Sequence, residues 1–173
     1  THQAGVEGAG EVSGSSRLTV APVEDKSAFL ALMLASWGSH SMMIDLTVYD
    51  CAELDLLGVA GKDGAIMAYA SWTMRGDVAL LCALHSVAPG QGAAVRLLEG
   101  VKAAARARGA ARLKAMLTND NMPGLAFYQT CGFRFSRLHI EAIDNFRSVV
   151  PTIVRTGYMD IPIHDALELE IEL

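Results

Sequence analysis

The segment Pro89-Gly90-Gln91-Gly92-Ala93-Ala94 constrains this chain more than any other stretch. It separates an apolar run, Val78 to Val87, from a segment of helical periodicity, Ala93 to Arg108. A strand that leaves through a glycine-rich turn into a helix returns to its sheet by a crossover. The next strand, expected over Arg112 to Thr118, should therefore run parallel to the first. The turn also has a chemical consequence. Its glycines lack Cβ, and the first N–H groups of a helix have no intrahelical partner, so bare backbone donors face outward at the positive end of the helix dipole. That is a site for a phosphate or pyrophosphate.

Two phosphate loops can be compared with it. A nucleotide-hydrolase loop requires Gly-Lys-Ser/Thr, and no lysine stands here. A dinucleotide fingerprint requires a third Gly or Ala, where this chain has Val95, and an acidic residue about 20 positions on, where Leu113 and Lys114 fall. Neither fits, and a helix cap with no ligand is the bland alternative.

The remaining pattern suits one α/β domain over 17–173 preceded by a flexible Gly/Ser/Ala-rich tail over 1–16. A first strand is expected over Arg17 to Val20 and a helix from about Glu24-Asp25 to Ser36. Gly38 to Asp50 reads as a second helix or a substrate-facing loop, with Met42 and Met43 weighed as core filler ahead of binding surface. Asp55–Gly61, Ala65–Thr73 and Val78–Val87 form a meander, its first turn a two-residue Asp63-Gly64 hairpin. In the helix after the glycine turn, Leu97, Leu98, Val101 and Ala105 mark the buried face; Arg96, Glu99, Lys102 and Arg106 mark the wet one. Gly109 caps it. A short helix follows, with Asn121 at its cap and Pro123 in its first turn, then a strand over Phe133 to His139 and a helix over Ala142 to Val149. Leu167, Leu169, Ile171 and Leu173 alternate with Glu168, Glu170 and Glu172, which predicts a strand with a solvated acidic face.

Gly92 and Ala94, then Leu97-Leu98, then Asn121, Tyr128 and Gly132-Phe133 together resemble the GCN5-related N-acetyltransferase family in order and spacing. The similarity covers roughly residues 17–140, with its detail in 84–133. It implies a GNAT-like mixed, splayed β-sheet flanked by helices. It also implies acetyl-CoA as co-substrate, held at the pyrophosphate by the backbone of Gly90, Gln91, Gly92, Ala93, Ala94 and Val95. Ala83 and Leu84 would lie along the pantetheine arm and Asn121 would contact the cofactor. Tyr128 matches the family tyrosine that protonates the departing thiolate. Pro89 stands where the family has Arg or Gln, which removes a side chain that steadies the loop.

Acetyl transfer from a thioester to a primary amine by direct attack needs a neutral amine and a proton for the thiolate. A phenol with a pKa near 10 suits the second task. For the first, the strand Val78–Val87 offers no carboxylate; Asp77 precedes it and His85 lies near its end. His85 has the right titration range, against which stands a structural role if strand alternation turns it from the cleft. His139, Glu141 and Asp144 are further candidates for a substrate pocket. Cys51, Cys82 and Cys131 form no metal or redox motif, so no metal is expected and a reduced, cytoplasmic setting fits. The net charge of −5 speaks against nucleic acid and mildly for a cationic acceptor, and no apolar run is long enough for a membrane span. The expected partner is a small-molecule or peptide amine; a homodimer is left open by the exposed edges of a small sheet. The alternatives are an acyl-CoA sensor without efficient catalysis and a different acyl group.

Overall fold

Period-two and period-3.6 patterns alternate along the chain and define its elements. The strands are β1 (Thr19–Pro22), β2 (Ser41–Ile44), β3 (Thr47–Asp50), β4 (Asp55–Ala60), β5 (Ile66–Arg75), β6 (Val78–Ser86), β7 (Arg112–Thr118), β8 (Arg134–His139) and β9 (Ala166–Glu172). The helices are α1 (Ser27–Trp37), α2 (Ala93–Ala107), α3 (Met122–Thr130) and α4 (Ala142–Arg147). This computed structural model describes residues 17–87 and 92–173. The expected tail over 1–16 and the loop residues Pro89, Gly90 and Gln91 lie outside the described residues.

Seven strands form one sheet in the order β1-β4-β5-β6-β7-β9-β8. Of its neighbouring pairs, β6 and β7 alone run parallel, as the crossover through α2 requires. That pairing is short. It joins Val78–Leu81 to Arg112–Ala115 and then stops, although both strands continue. The register between β5 and β6 explains why: Trp72 faces Leu81 and Ser71 faces Ala83, so Cys82 is an extra residue, a β-bulge. A bulge bends its strand and increases the local twist. The sheet therefore splays where the bulge begins.

Each face of the sheet carries its own layer. Leu97, Leu98, Val101 and Ala105 of α2 pack on Ala68, Ala70 and Trp72 of β5 and on Ala79 and Leu81 of β6. Each fully buried leucine of this layer stabilises the fold by roughly 1.5–3 kcal/mol. Tyr128 of α3 and Phe133 join the same cluster. On the opposite face, Phe29 and Met33, one helical turn apart in α1, pack with Tyr69, Leu80 and Cys82. Asp25 accepts from the Ser27 backbone N–H at 3.0 Å at the start of α1, and Gly38 ends it at φ +82°. A third cluster joins Met43 of β2 to Ile143 and Phe146 of α4.

Several expectations need correction. Gly38 to Asp50 is neither helix nor loop but the hairpin β2–β3, with Met42 opposite Tyr49. The first turn of the meander spans more than two residues: Gly61 accepts from Gly64, and Ala65 accepts from Gly61. Lys102 is buried rather than wet; its ammonium reaches Glu99 at 2.8 Å while its stem lies over the core. The acidic face of β9 is not uniformly solvated either. Glu168 is only 1% exposed, because β9 is an inner strand between β7 and β8 and the hairpin β2–β3 approaches β7. Its Oε2 lies 3.5 Å from Lys114 Nζ, and its Oε1 lies 3.2 Å from His139 Nε2 without hydrogen-bond alignment. Asp45, at the tip of the hairpin, extends this network to Arg75, Lys114 and Arg137. Asp45, His139 and Glu168 lie close enough together to ligate a cation, but the Lys114 ammonium already bridges two of them.

Candidate active site

The splay opens into a cavity of about 270 Å³. Its walls are Cys82, Ala83, Leu84 and His85 from β6 and Met116, Leu117 and Thr118 from β7. Because the gap passes through the sheet, both layers contribute. From the α2/α3 side come Asn121, Phe127 and Tyr128. From the α1 side come Met33, Ser36 and Trp37, with Met42 and Met43 of β2 and with Ile143 and Phe146 of α4. Past Leu81 the edge of β6 has no ladder to β7, so main-chain groups along Ala83 and Leu84 remain available to a ligand.

The bulge decides where His85 points. Alternation without it would carry His85 to the α2 face; with Cys82 inserted, Ala83 packs with the α1 layer and Leu84 with the α2 layer. His85 follows on the α1 side, its Nε2 3.5 Å from Ser36 Oγ of α1. Burial lowers its pKa below the usual histidine range, because the cation loses hydration. The imidazole is thus neutral, and able to accept a proton, at pH 7.

Tyr128 lies on the other side, 5% exposed and edge-on to Phe127 and Phe133. Burial first, then the neighbouring Cys131, pushes its phenol well above the ordinary range, so the hydroxyl remains a proton donor. Asn121 caps α3 by accepting the Gly124 N–H at 2.9 Å through Oδ1. The cap and the cavity wall use the same residue, and its Nδ2 is a further donor.

On the crossover that follows β6, Gly92 caps α2 with φ +72° and no side-chain hydrogen bond. The first intrahelical bond runs from Arg96 N to Gly92 O at 3.0 Å. The N–H groups of Ala93, Ala94 and Val95 thus belong to the helix's unpaired first turn. Ala93 is buried, whereas Gly92 and Val95 are exposed. Free donors at the helix start, a strand gap behind them and a buried phenol across the gap fit a long ligand with a phosphate at one end.

Residues 27–133 match the model of the acetyltransferase (GNAT) family. The protein YxbD of Bacillus subtilis (strain 168) is 35% identical over 148 residues, covering 86% of this chain and 93% of its own. The chain belongs to the GNAT family.

This GNAT protein is accordingly an acyltransferase. Its fold is shared with a GNAT acetyltransferase of Elizabethkingia anophelis solved with acetyl-CoA bound (TM-score 0.70, 18% identity, 90% of this chain and 98% of that one). It is also shared with a Bacillus subtilis acetyltransferase solved with CoA (TM-score 0.69, 15% identity, 91% and 99%). The GNAT fold brings Ala83, Leu84, His85, Asn121 and Tyr128 to one cavity. It leaves other candidates elsewhere. Asp77 sits in the turn at the opposite end of β6. His139 belongs to the Glu168 network, the Glu141 N–H donates to Asp165, and Asp144 pairs with Arg147 and His164. None of these four lines the cavity. Asn119 and Asp120 are anchors: Asn119 accepts from the His164 and Asp165 N–H groups, and Asp120 accepts from Tyr158 N. Met33, Trp37, Ile143 and Phe146 were not legible as lining residues, since nothing local marks which apolar side chains border a gap lined by six elements spread along the chain.

Proposed function

We propose that this protein transfers the acetyl group of acetyl-CoA to a primary amine by direct attack, with the thioester seated in the splay between β6 and β7. The observation that carries this reading is the opening of that splay between the His85 imidazole on one side and the Tyr128 phenol on the other. The pyrophosphate would lie at the start of α2, on the unpaired N–H groups of Ala93, Ala94 and Val95. Pantetheine would follow the unladdered edge at Ala83 and Leu84, with Asn121 Nδ2 as a donor. The acceptor would then enter from the α1 side, where His85 stands.

The amine lone pair forms a bond to the thioester carbon, and the attacking nitrogen gives its proton to His85. The C–S bond breaks as the sulfur takes a proton from Tyr128. Return of the His85 proton through solvent to the phenolate restores both groups, so the net change is one proton moved from nitrogen to sulfur. Nothing covalent forms on the protein. Burial pushes the Cys82 thiol up to about 12, which leaves no thiolate for nucleophilic catalysis at neutral pH. Calorimetric titration with acetyl-CoA, followed by free-thiol release over a panel of amines, tests the proposal. Saturable binding with amine-dependent release supports it; absence of acetyl-CoA binding sinks it.

A further inference from the structure

The acceptor side of the cavity is unusual in what it lacks. Among the described residues, no Asp, Glu, Lys or Arg lines the cavity. Among the described lining residues His85 carries the one imidazole, and burial lowers its pKa. The wall facing it across the α1 side is Met33, Trp37, Met42, Met43, Ile143 and Phe146. Three elements hold this wall in place: α1 through the Phe29–Met33 packing, the hairpin β2–β3, and α4 through its contact with Met43. Carboxylates behind the lining are engaged with other groups: Asp120 accepts from the lining Thr118 hydroxyl and from Tyr158 N, Asp45 pairs with Arg75 and Lys114, and Asp144 with Arg147 and His164.

We infer that the acceptor is a small apolar primary amine, an arylalkylamine or alkylamine carrying no second charge. This rests on the cavity being the acetyl-transfer site. The chain's net charge of −5 invites the opposite choice, a polycation, but that charge is not displayed in the cavity. A polyamine would leave its distal ammonium desolvated and unpaired, and a free amino acid would do the same with its carboxylate. An apolar body meets methionines, whose flexible thioethers adapt to its shape and favour contact with aromatic rings, and the Trp37 and Phe146 side chains. The same wall helps the chemistry. An amine taken out of water loses its proton more readily, so a neutral imidazole suffices as base without a carboxylate. The cavity volume of about 270 Å³, shared with the acyl end of the co-substrate, limits the acceptor to a small molecule.

The test uses the full chain. Acetyl-CoA binding is measured by calorimetry, then thiol release with phenethylamine, hexylamine, spermidine, phenylalanine and a short peptide with an apolar N-terminal residue. Phenethylamine or hexylamine should exceed spermidine and phenylalanine by about 100-fold in kcat/KM. Met42→Glu, on the half-buried outer strand of the wall, should shift that ratio toward spermidine by about 10-fold or more once its melting curve shows that it is folded. Acetyl-CoA binding with the greatest release on spermidine, phenylalanine or the peptide overturns the inference and leaves acetyl transfer standing. Binding with no release on any apolar amine also overturns it. Loss of acetyl-CoA binding overturns the proposed function itself.

Discussion

In the proposed mechanism His85 and Tyr128 divide the proton traffic, because burial lowers the pKa of one and raises that of the other. Burial penalises the charged form of each, which keeps the imidazole neutral and the phenol protonated. The lowered His85 pKa places its protonation below the usual value of about 6.5. With both substrates saturating, kcat should hold steady as pH falls to about 6.5 and decline below it. His85→Ala should lower kcat by about 10- to 100-fold and abolish that decline; a variant that keeps the parent's acidic limb removes His85 from the mechanism. The sign for stability is the same. The unfolded chain takes up this proton before the folded one does, so the His85 contribution is intact above about pH 6.5 and is lost as pH falls through the folded pKa. Tyr128→Phe keeps the edge-on packing against Phe127 and Phe133 and deletes only the hydroxyl. Turnover should fall by about 100-fold while the acetyl-CoA dissociation constant stays within about twofold. Unchanged turnover would assign Tyr128 to the core alone.

At the scale of elements, the start of α2 and the inner position of β9 carry the consequences. Gly92 sits at φ +72°, and a Cβ built on it meets nothing within 4 Å among the described residues. Gly92→Ala should therefore cost only about 1–2 kcal/mol of backbone strain, read from a denaturant curve. Its larger effect should be on acetyl-CoA affinity, weakened by about 10-fold in calorimetry, since the added methyl would project from the start of α2, where the pyrophosphate is proposed to sit. Gly38→Ala is the control: a Cβ there clashes with the Thr152 carbonyl oxygen, so it should destabilise more than Gly92→Ala without selectively weakening co-substrate binding. In β9, Glu168 is the buried centre of a network that ties the hairpin tip to the sheet. Glu168→Leu removes the nearer of the two carboxylates beside the Lys114 ammonium, leaving Asp45 at 3.9 Å, and should lose about 1–3 kcal/mol in urea unfolding. Adding Lys114→Met should recover part of that loss; a double variant no more stable than the single would show that the pair does not act as a unit.

Across the whole molecule, the cavity is made by elements far apart in the chain. Its lining runs from Met33 to Phe146, and it crosses the sheet instead of resting on one face. A ligand seated there touches both layers, so it should resist global unfolding. At a concentration of 100 times its dissociation constant, acetyl-CoA should add about 2.7 kcal/mol, raising Tm by roughly 5–10 °C for a chain of this size. Differential scanning calorimetry measures this directly, and an unchanged Tm at saturating acetyl-CoA would contradict seating in the splay. Away from the cavity, β8 is the sheet's edge and exposes Phe135 and Leu138. None of the helices among the described residues is long and apolar enough to cross a membrane.

Local chemistry determined much of this. The turn at Gly92, the amphipathic α2, the parallel return through β7 and the Asn121 cap all follow from contacts within a few residues or one crossover. They were legible in order and nearly in extent. The sequence also offered His85 as a candidate base beside a structural reading, and the family resemblance brought forward Asn121 and Tyr128. Three things were decided by the tertiary structure alone. The Cys82 bulge, which turns His85 to the α1 side, exists only in the register between β5 and β6, and alternation along β6 cannot reveal it. Gly38 to Asp50 becomes a hairpin because its apolar residues are completed by α4 and β6, not by each other. Glu168 is buried because the order of strands puts β9 inside the sheet, under a hairpin whose Asp45 and a strand whose Lys114 come from elsewhere. Strand register and sheet order are properties of pairs of segments, and no periodicity within one segment encodes them.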